Sequence, residues 1–131
     1  MDGATLFQKF DEAGCLALPG KTISFGEIPW SRHPTFEGVE LKHIVTSRET
    51  GGQFSFHLVR IAPGKKIGRH THELQLETHE VISGGGICIL DQGALRYEPG
   101  TVSVLAMAAP HEVLAGEQGL CLFAKFFPAL I

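Results

Sequence analysis

The stretch Gly64-Lys65-Lys66-Ile67-Gly68-Arg69-His70-Thr71-His72, continued by Glu77 and closed by Gly84, decides how this chain is read. Side chains two positions apart on an extended strand point to the same face, so His70 and His72 set two imidazoles side by side. Glu77 then brings a carboxylate round to them, and a lone His111 stands downstream. Imidazole and carboxylate nitrogen and oxygen donors are what a divalent metal pocket requires.

The surrounding sequence is written in strands. Val39, Leu41, His43 and Val45 alternate with Glu40, Lys42 and Thr46, and Phe56 and Leu58 alternate with Ser55 and His57. This is the period of two expected of half-buried β-structure. Turn signals then recur at short intervals: Pro63-Gly64, Gly84-Gly85-Gly86, Asp91-Gln92-Gly93, Pro99-Gly100, Gly116 and Gly119. Short strands punctuated this way, with no helices between them, predict an all-β antiparallel sandwich or small barrel. Helix is expected only at the start, where Asp2 can cap a turn whose Leu6, Phe7 and Phe10 share a face and which Gly14 ends. Residues 1–36 read as an N-terminal arm with that short helix, and residues 37–131 as the β-domain.

Bulk properties narrow the function. At 131 residues the chain suits one domain with its own core, and a net charge of −3 with scattered basic residues gives no footprint for nucleic acid or an anionic membrane. No segment approaches the ~18 apolar residues that span a bilayer, and Met1-Asp2-Gly3 lacks the basic start of a signal peptide. Cys15, Cys88 and Cys121 are odd in number and match no metal-binding spacing. A cytoplasmic location with reduced thiols is therefore expected. The segment from Leu120 to Phe127 is apolar on both faces apart from Lys125, and a partner subunit is one way to cover it, so a homodimer is expected.

The residues at fixed distances from His70 resemble the cupin superfamily. Its first motif, G-x5-H-x-H-x3or4-E-x6-G, is met at every fixed position by Gly64, His70, His72, Glu77 and Gly84. The second motif, G-x5-P-x-G-x2-H-x3-N, places its histidine on His111, downstream of Pro99-Gly100. Its proline, glycine and asparagine are replaced by Ala106, Ala108 and Ala115. The resemblance covers about residues 54 to 127 and implies a double-stranded β-helix, the cupin jelly-roll barrel. It also implies that His70, His72, Glu77 and His111 converge on one divalent transition metal, iron or manganese first, with nickel, zinc or copper open to the same ligands.

Such a site suits a small polar or anionic substrate, with dioxygenase, isomerase or decarboxylase chemistry in prospect. The alternative is a non-catalytic module that senses a metabolite or a metal in the same pocket. Strand parity puts His79 on the face of Glu77 and Glu80 on the other, so Glu77 and His79 are the candidates for moving a proton. His57, beside Val59 and Ile61 on an apolar face, reads as a satisfied core histidine that could also line the pocket. His33 and His43 read as surface residues. Arg60 and Arg96 could grip a carboxylate or simply be solvated, while Trp30 and Phe36 read as packing residues.

Overall fold

Residues 3–131 are described by a computed structural model of the chain. Ten strands dominate: β1 (Cys15–Leu18), β2 (Lys21–Ser24), β3 (Trp30–Arg32), β4 (Val39–Val45), β5 (Ser55–Ile61), β6 (Lys66–His70), β7 (Leu76–Leu90), β8 (Gly93–Tyr97), β9 (Val102–Leu105) and β10 (His111–Phe127). β1 and β2 form a hairpin of their own. The other eight make one antiparallel sheet in the order β3-β4-β5-β10-β7-β8, with β6 also on β10 and β9 also on β7.

The two long strands close this sheet into two facing layers. The first half of β10 pairs with the second half of β7 and with β6, and its second half pairs with the first half of β7 and with β5. The crossing points are the glycine clusters expected to be turns. Gly84 to Gly86 and Gly116 to Gly119 do not reverse the chain; they bend it inside continuous strands, where register shifts between Ala115 and Leu120. A side chain at Gly84 or Gly86 would collide with the backbone carbonyls of Gly119 or Leu114, and Gly84 takes φ +78°. Only glycine allows both that conformation and that approach.

One core lies between the layers, built from Val59, Ile61, Val81, Leu105, Val113, Leu122 and Phe126 among others. A second lies outside β4, β5 and β10, where Phe25, Ile44, Leu58 and Ile82 pack with Phe7, Phe10, Trp30 and Phe123. The apolar outer face of the last strand is thus covered by the chain's own N-terminal segment, with the Phe123 ring 4.7 Å from both Phe10 and Phe56. The need that suggested a partner subunit is met within the chain. The expected 36/37 boundary falls between β3 and β4, which are neighbours in one sheet.

The N-terminal segment is fastened by a buried lysine. Lys42 Nζ donates to the carbonyls of Asp11 (2.5 Å) and Phe25 (2.8 Å) and pairs with Asp11 Oδ1 at 2.9 Å, while Trp30 Nε1 donates to the same Asp11 oxygen. Asp11 can reach Lys42 because α1 (Gly3–Gln8) runs into a π-helical turn over Lys9–Ala13 that Gly14 closes. Capping by Asp2 lies outside the described residues, and Leu6 faces solvent while Phe7 and Phe10 pack inward.

Helix does return, against expectation, as a 3-10 turn over Phe25–Glu27 and as α2 (Ser47–Thr50). Thr46 accepts from the Arg48 amide and Glu49 reaches back to the Thr46 amide, a capping box that the sequence Thr46-Ser47-Arg48-Glu49 spells out. Among the described residues no helix is long and apolar enough to cross a membrane.

Candidate metal centre

Antiparallel pairing brings the four residues together from separate strands. His111 opens β10 directly opposite His70 at the end of β6, and His72 follows two residues past that strand. Glu77, near the start of β7 in the facing layer, looks across at all three. One donor atom from each of His70, His72, Glu77 and His111 lies within 4.8 Å of every other. Two atoms each about 2.1 Å from one ion can stand up to about 4.2 Å apart, so a contraction of a few tenths of an ångström would close the set around an ion.

Hydrogen bonds at the backs of the rings aim the lone pairs inward. His70 Nδ1 stands 2.7 Å from the Gly68 carbonyl and His111 Nδ1 stands 3.0 Å from that of Ala109. A carbonyl only accepts, so Nδ1 carries the hydrogen in both rings and Nε2 is the free donor. His72 Nε2 and His111 Nε2 face Glu77 Oε1 at 3.6 and 3.1 Å. Among the described residues, two buried side-chain atoms lack a hydrogen-bond partner, and they are Glu77 Oε1 and His111 Nε2. Buried polar atoms are rarely left this way, and here both point at the place an ion would fill. The donor set therefore fits a divalent metal.

Electrostatics agree with the geometry. Burial would raise the Glu77 pKa, but the His111 and His79 rings against it outweigh burial and hold the carboxyl well below its usual range. Burial pushes His70 and His72 down, towards the neutral form that binds metal. His111 alone moves up, because Glu77 beside it outweighs burial.

His79 is 2% exposed and touches Glu77 as strand parity expects, with Nε2 2.8 Å from Oε2. Its other nitrogen lies 2.8 Å from Tyr97 Oη, which in turn lies 2.5 Å from Ser103 Oγ. Both ring nitrogens are engaged. Ser103 carried no signal in the sequence, and Tyr97, the single tyrosine, stands two residues before Pro99-Gly100 at a position that did not mark it as a base; they sit on β9 and β8 and meet only when the two layers close.

The remaining histidines go elsewhere. His57 is fully buried, with Nδ1 2.8 Å from His43 Nδ1 and Nε2 2.8 Å from Ser55 Oγ, which also accepts the Leu130 amide. His43 is thus half-buried and bonded rather than a surface residue. His33 Nδ1 accepts from the amides of Thr35 and Phe36, shaping the loop that sets the Phe36 ring 6.1 Å from His70. Arg60 stacks 3.9 Å over Trp30 and pairs with Glu40, and Arg96 pairs with Glu98 on the surface. A cleft of about 680 Å³ opens beyond Phe36, between Arg32, Arg60, Ile61 and Leu120, and the four donors do not line it.

The turn before His111 lost the motif's glycine to Ala108, yet the backbone there keeps a left-handed conformation, φ 64°. The Ala108 amide donates to the His72 carbonyl at 2.9 Å, so this turn ties two candidate ligands together.

Comparison with known proteins locates this arrangement. No family model matches the sequence, and no curated protein matches it. Solved structures do. A predicted oxalate decarboxylase from Thermotoga maritima superposes with TM-score 0.72 at 21% identity over 79% of this chain and 95% of that one. KdgF from Halomonas sp. gives 0.69 at 20% identity over 79% and 90%. An RmlC-like cupin from Shewanella frigidimarina gives 0.69 at 13% identity over 80% and 87%. These likenesses show the fold: two antiparallel layers joined by long bent strands, which is the cupin fold.

Proposed function

We propose that this chain is a metal-dependent cupin enzyme acting on a small polar or anionic molecule. In this reading His70, His72, Glu77 and His111 hold one divalent transition metal, with iron or manganese ahead of nickel, zinc and copper. The observation that carries it is the pair of unpartnered buried atoms, Glu77 Oε1 and His111 Nε2, facing the other two donors.

When bound, the ion supplies a Lewis acid that holds a substrate oxygen and offsets charge building on it. Three neutral imidazoles and one carboxylate leave a 2+ site with a net charge of about +1, which favours anionic or enol-like substrates. His70 and His111 keep their orientation through Gly68 and Ala109. Glu77 is held ionised, with Oε1 turned towards the metal position and Oε2 bonded to His79, and Glu77 with His79 is the pair that would move a proton. Dioxygen insertion, isomerisation and decarboxylation are the reaction types that suit such a centre, and an oxidoreductase is among them. A cytoplasmic setting suits the three free cysteines.

Metal content after reconstitution with iron, manganese, nickel and zinc tests the reading first. About one ion per chain is expected in wild type and none in His70→Ala. Loading should weaken as pH falls, and His111 makes the loss begin above the ordinary histidine range, since its proton competes earliest. Turnover of a panel of enols, catechols and keto acids by the loaded protein then separates an enzyme from a sensor. Full activity in His70→Ala would sink the metal-enzyme reading.

A further inference from the structure

Glu77 has two carboxylate oxygens, and they meet different surroundings. Oε1 faces the candidate ligands without a hydrogen bond, whereas Oε2 is taken by His79 Nε2 at 2.8 Å. An ionised carboxylate can only accept, so His79 donates from Nε2, and in a neutral ring the remaining nitrogen must accept. Tyr97 stands there at 2.8 Å, and burial holds its phenol protonated well above the usual range, so it donates. Having spent its proton on His79, the Tyr97 oxygen accepts from Ser103, 2.5 Å away. Ser103, Tyr97, His79 and Glu77 thus form one chain of hydrogen bonds with a single direction. All four are buried, on β9, β8 and β7.

We infer that Tyr97 and Ser103 are positioning residues that act through His79 to hold Glu77 to a single free donor oxygen, Oε1. This rests on the metal-centre reading above. Among the described residues Tyr97 supplies the hydrogen bond that fixes the His79 ring at its far side: without it the ring could rotate about χ2 and release Oε2. A carboxylate free to swing could chelate with both oxygens or turn towards His72, and the preset spacing of the four donors would be lost. Partners behind metal ligands in other proteins set ligand orientation in this way, and their loss costs about 10- to 100-fold in metal affinity.

The test is Zn(II) affinity, measured by competition with a chromophoric chelator on the full chain, with folding checked by circular dichroism. His79→Leu should weaken Zn(II) binding by about 10- to 100-fold, and His79→Gln, whose amide N–H reaches the position of the ring Nε2–H, should restore most of the loss. Tyr97→Phe should fall between them, and Ser103→Ala should cost less than Tyr97→Phe. The decisive variant is the double one. If Tyr97 acts through His79, then His79→Leu with Tyr97→Phe binds Zn(II) no worse than His79→Leu alone, whereas independent structural effects would multiply. Wild-type Zn(II) affinity in His79→Leu, or a double variant weakened by the product of the two single losses, overturns the inference while leaving the metal centre standing. Absence of Zn(II) binding by wild type overturns both.

Discussion

Two buried polar clusters sit on opposite faces of the same layer, and they differ in one respect that separates a fastening from a site. Around Lys42, every hydrogen of the ammonium has a partner: the Asp11 carboxylate, the Asp11 carbonyl and the Phe25 carbonyl. Around Glu77, the groups are as deeply buried, but Oε1 and the Nε2 of His111 have no partner. A buried polar group left unpaired costs stability, about 1–3 kcal/mol each, so a cluster that is complete serves the fold and one that is incomplete keeps room for something else. Burial alone would have ranked the two alike.

The difference predicts opposite behaviour on cutting one partner from each. Asp11→Ala strips the only carboxylate from a lysine that is 2% exposed, and removing one side of a buried pair costs about 3–5 kcal/mol. The loss should appear in chemical denaturation as a lower midpoint, with metal loading at saturating ion unchanged. Glu77→Gln should do the reverse. The amide oxygen still accepts from His79, so stability should shift by no more than about 1 kcal/mol, while metal binding falls beyond the range of the variants behind it. A stable Asp11→Ala protein would mean the N-terminal segment is held by its aromatic contacts, Phe10 on Phe123 and Phe7 on Trp30, and not by the clamp.

A third cluster sharpens the contrast because it is complete yet titratable. His57 is fully buried between His43 and Ser55, and burial, helped by His43 and opposed by Glu77, brings its pKa down to about 4 from 6.5. The unfolded chain therefore binds a proton there that the folded one refuses between those two values. Stability from this residue is whole above about pH 6.5, drains as pH falls, and is gone below about pH 4. The amount is about 3 kcal/mol. The groups facing His57 that also titrate are His43 and Glu77, so the clean measurement is a difference: the stability gap between wild type and His57→Gln should close by about that amount from pH 7 to pH 4. A gap that stays constant with pH would place a charged, solvated ring where the structure has a neutral one.

What the sequence made legible follows from the range of the interactions involved. Strand parity puts His70 beside His72 and His79 beside Glu77, while the two pairs are joined by the spacing of the motif between Gly64 and Gly84. His111 was reached only through the resemblance, being about forty residues away. The partners of the other buried groups were out of reach for the same reason: Lys42 meets Asp11 and Phe25, and His79 meets Tyr97, between elements that periodicity does not relate. Alternation sets His43 on the face of Val39, Leu41 and Val45, but nothing local marks its partner His57; Lys42 is the residue that alternation assigns to solvent and that the N-terminal segment covers, because β4 is covered on both faces. α2 is a different kind of omission. Its capping box is local and could have been found; four residues are simply too short to show a helical period.

The smallest predicted effect concerns the backbone that carries the incomplete cluster. Ala108 takes φ 64° in the turn that delivers His111 and gives its amide to the His72 carbonyl. For a residue with a Cβ this conformation costs about 1 kcal/mol or more, which glycine avoids, though glycine also loses more entropy on folding. The two effects oppose each other, and the left-handed strain is the larger, so Ala108→Gly should stabilise the metal-free protein by about 0.5–1 kcal/mol. The gain should come without the change in metal affinity that follows from moving a ligand, since the amide and its bond to His72 are retained. If affinity falls while stability rises, the alanine contributes by stiffening the approach of His111 to His72, and the strain belongs to the centre in a sense that has no counterpart around Lys42.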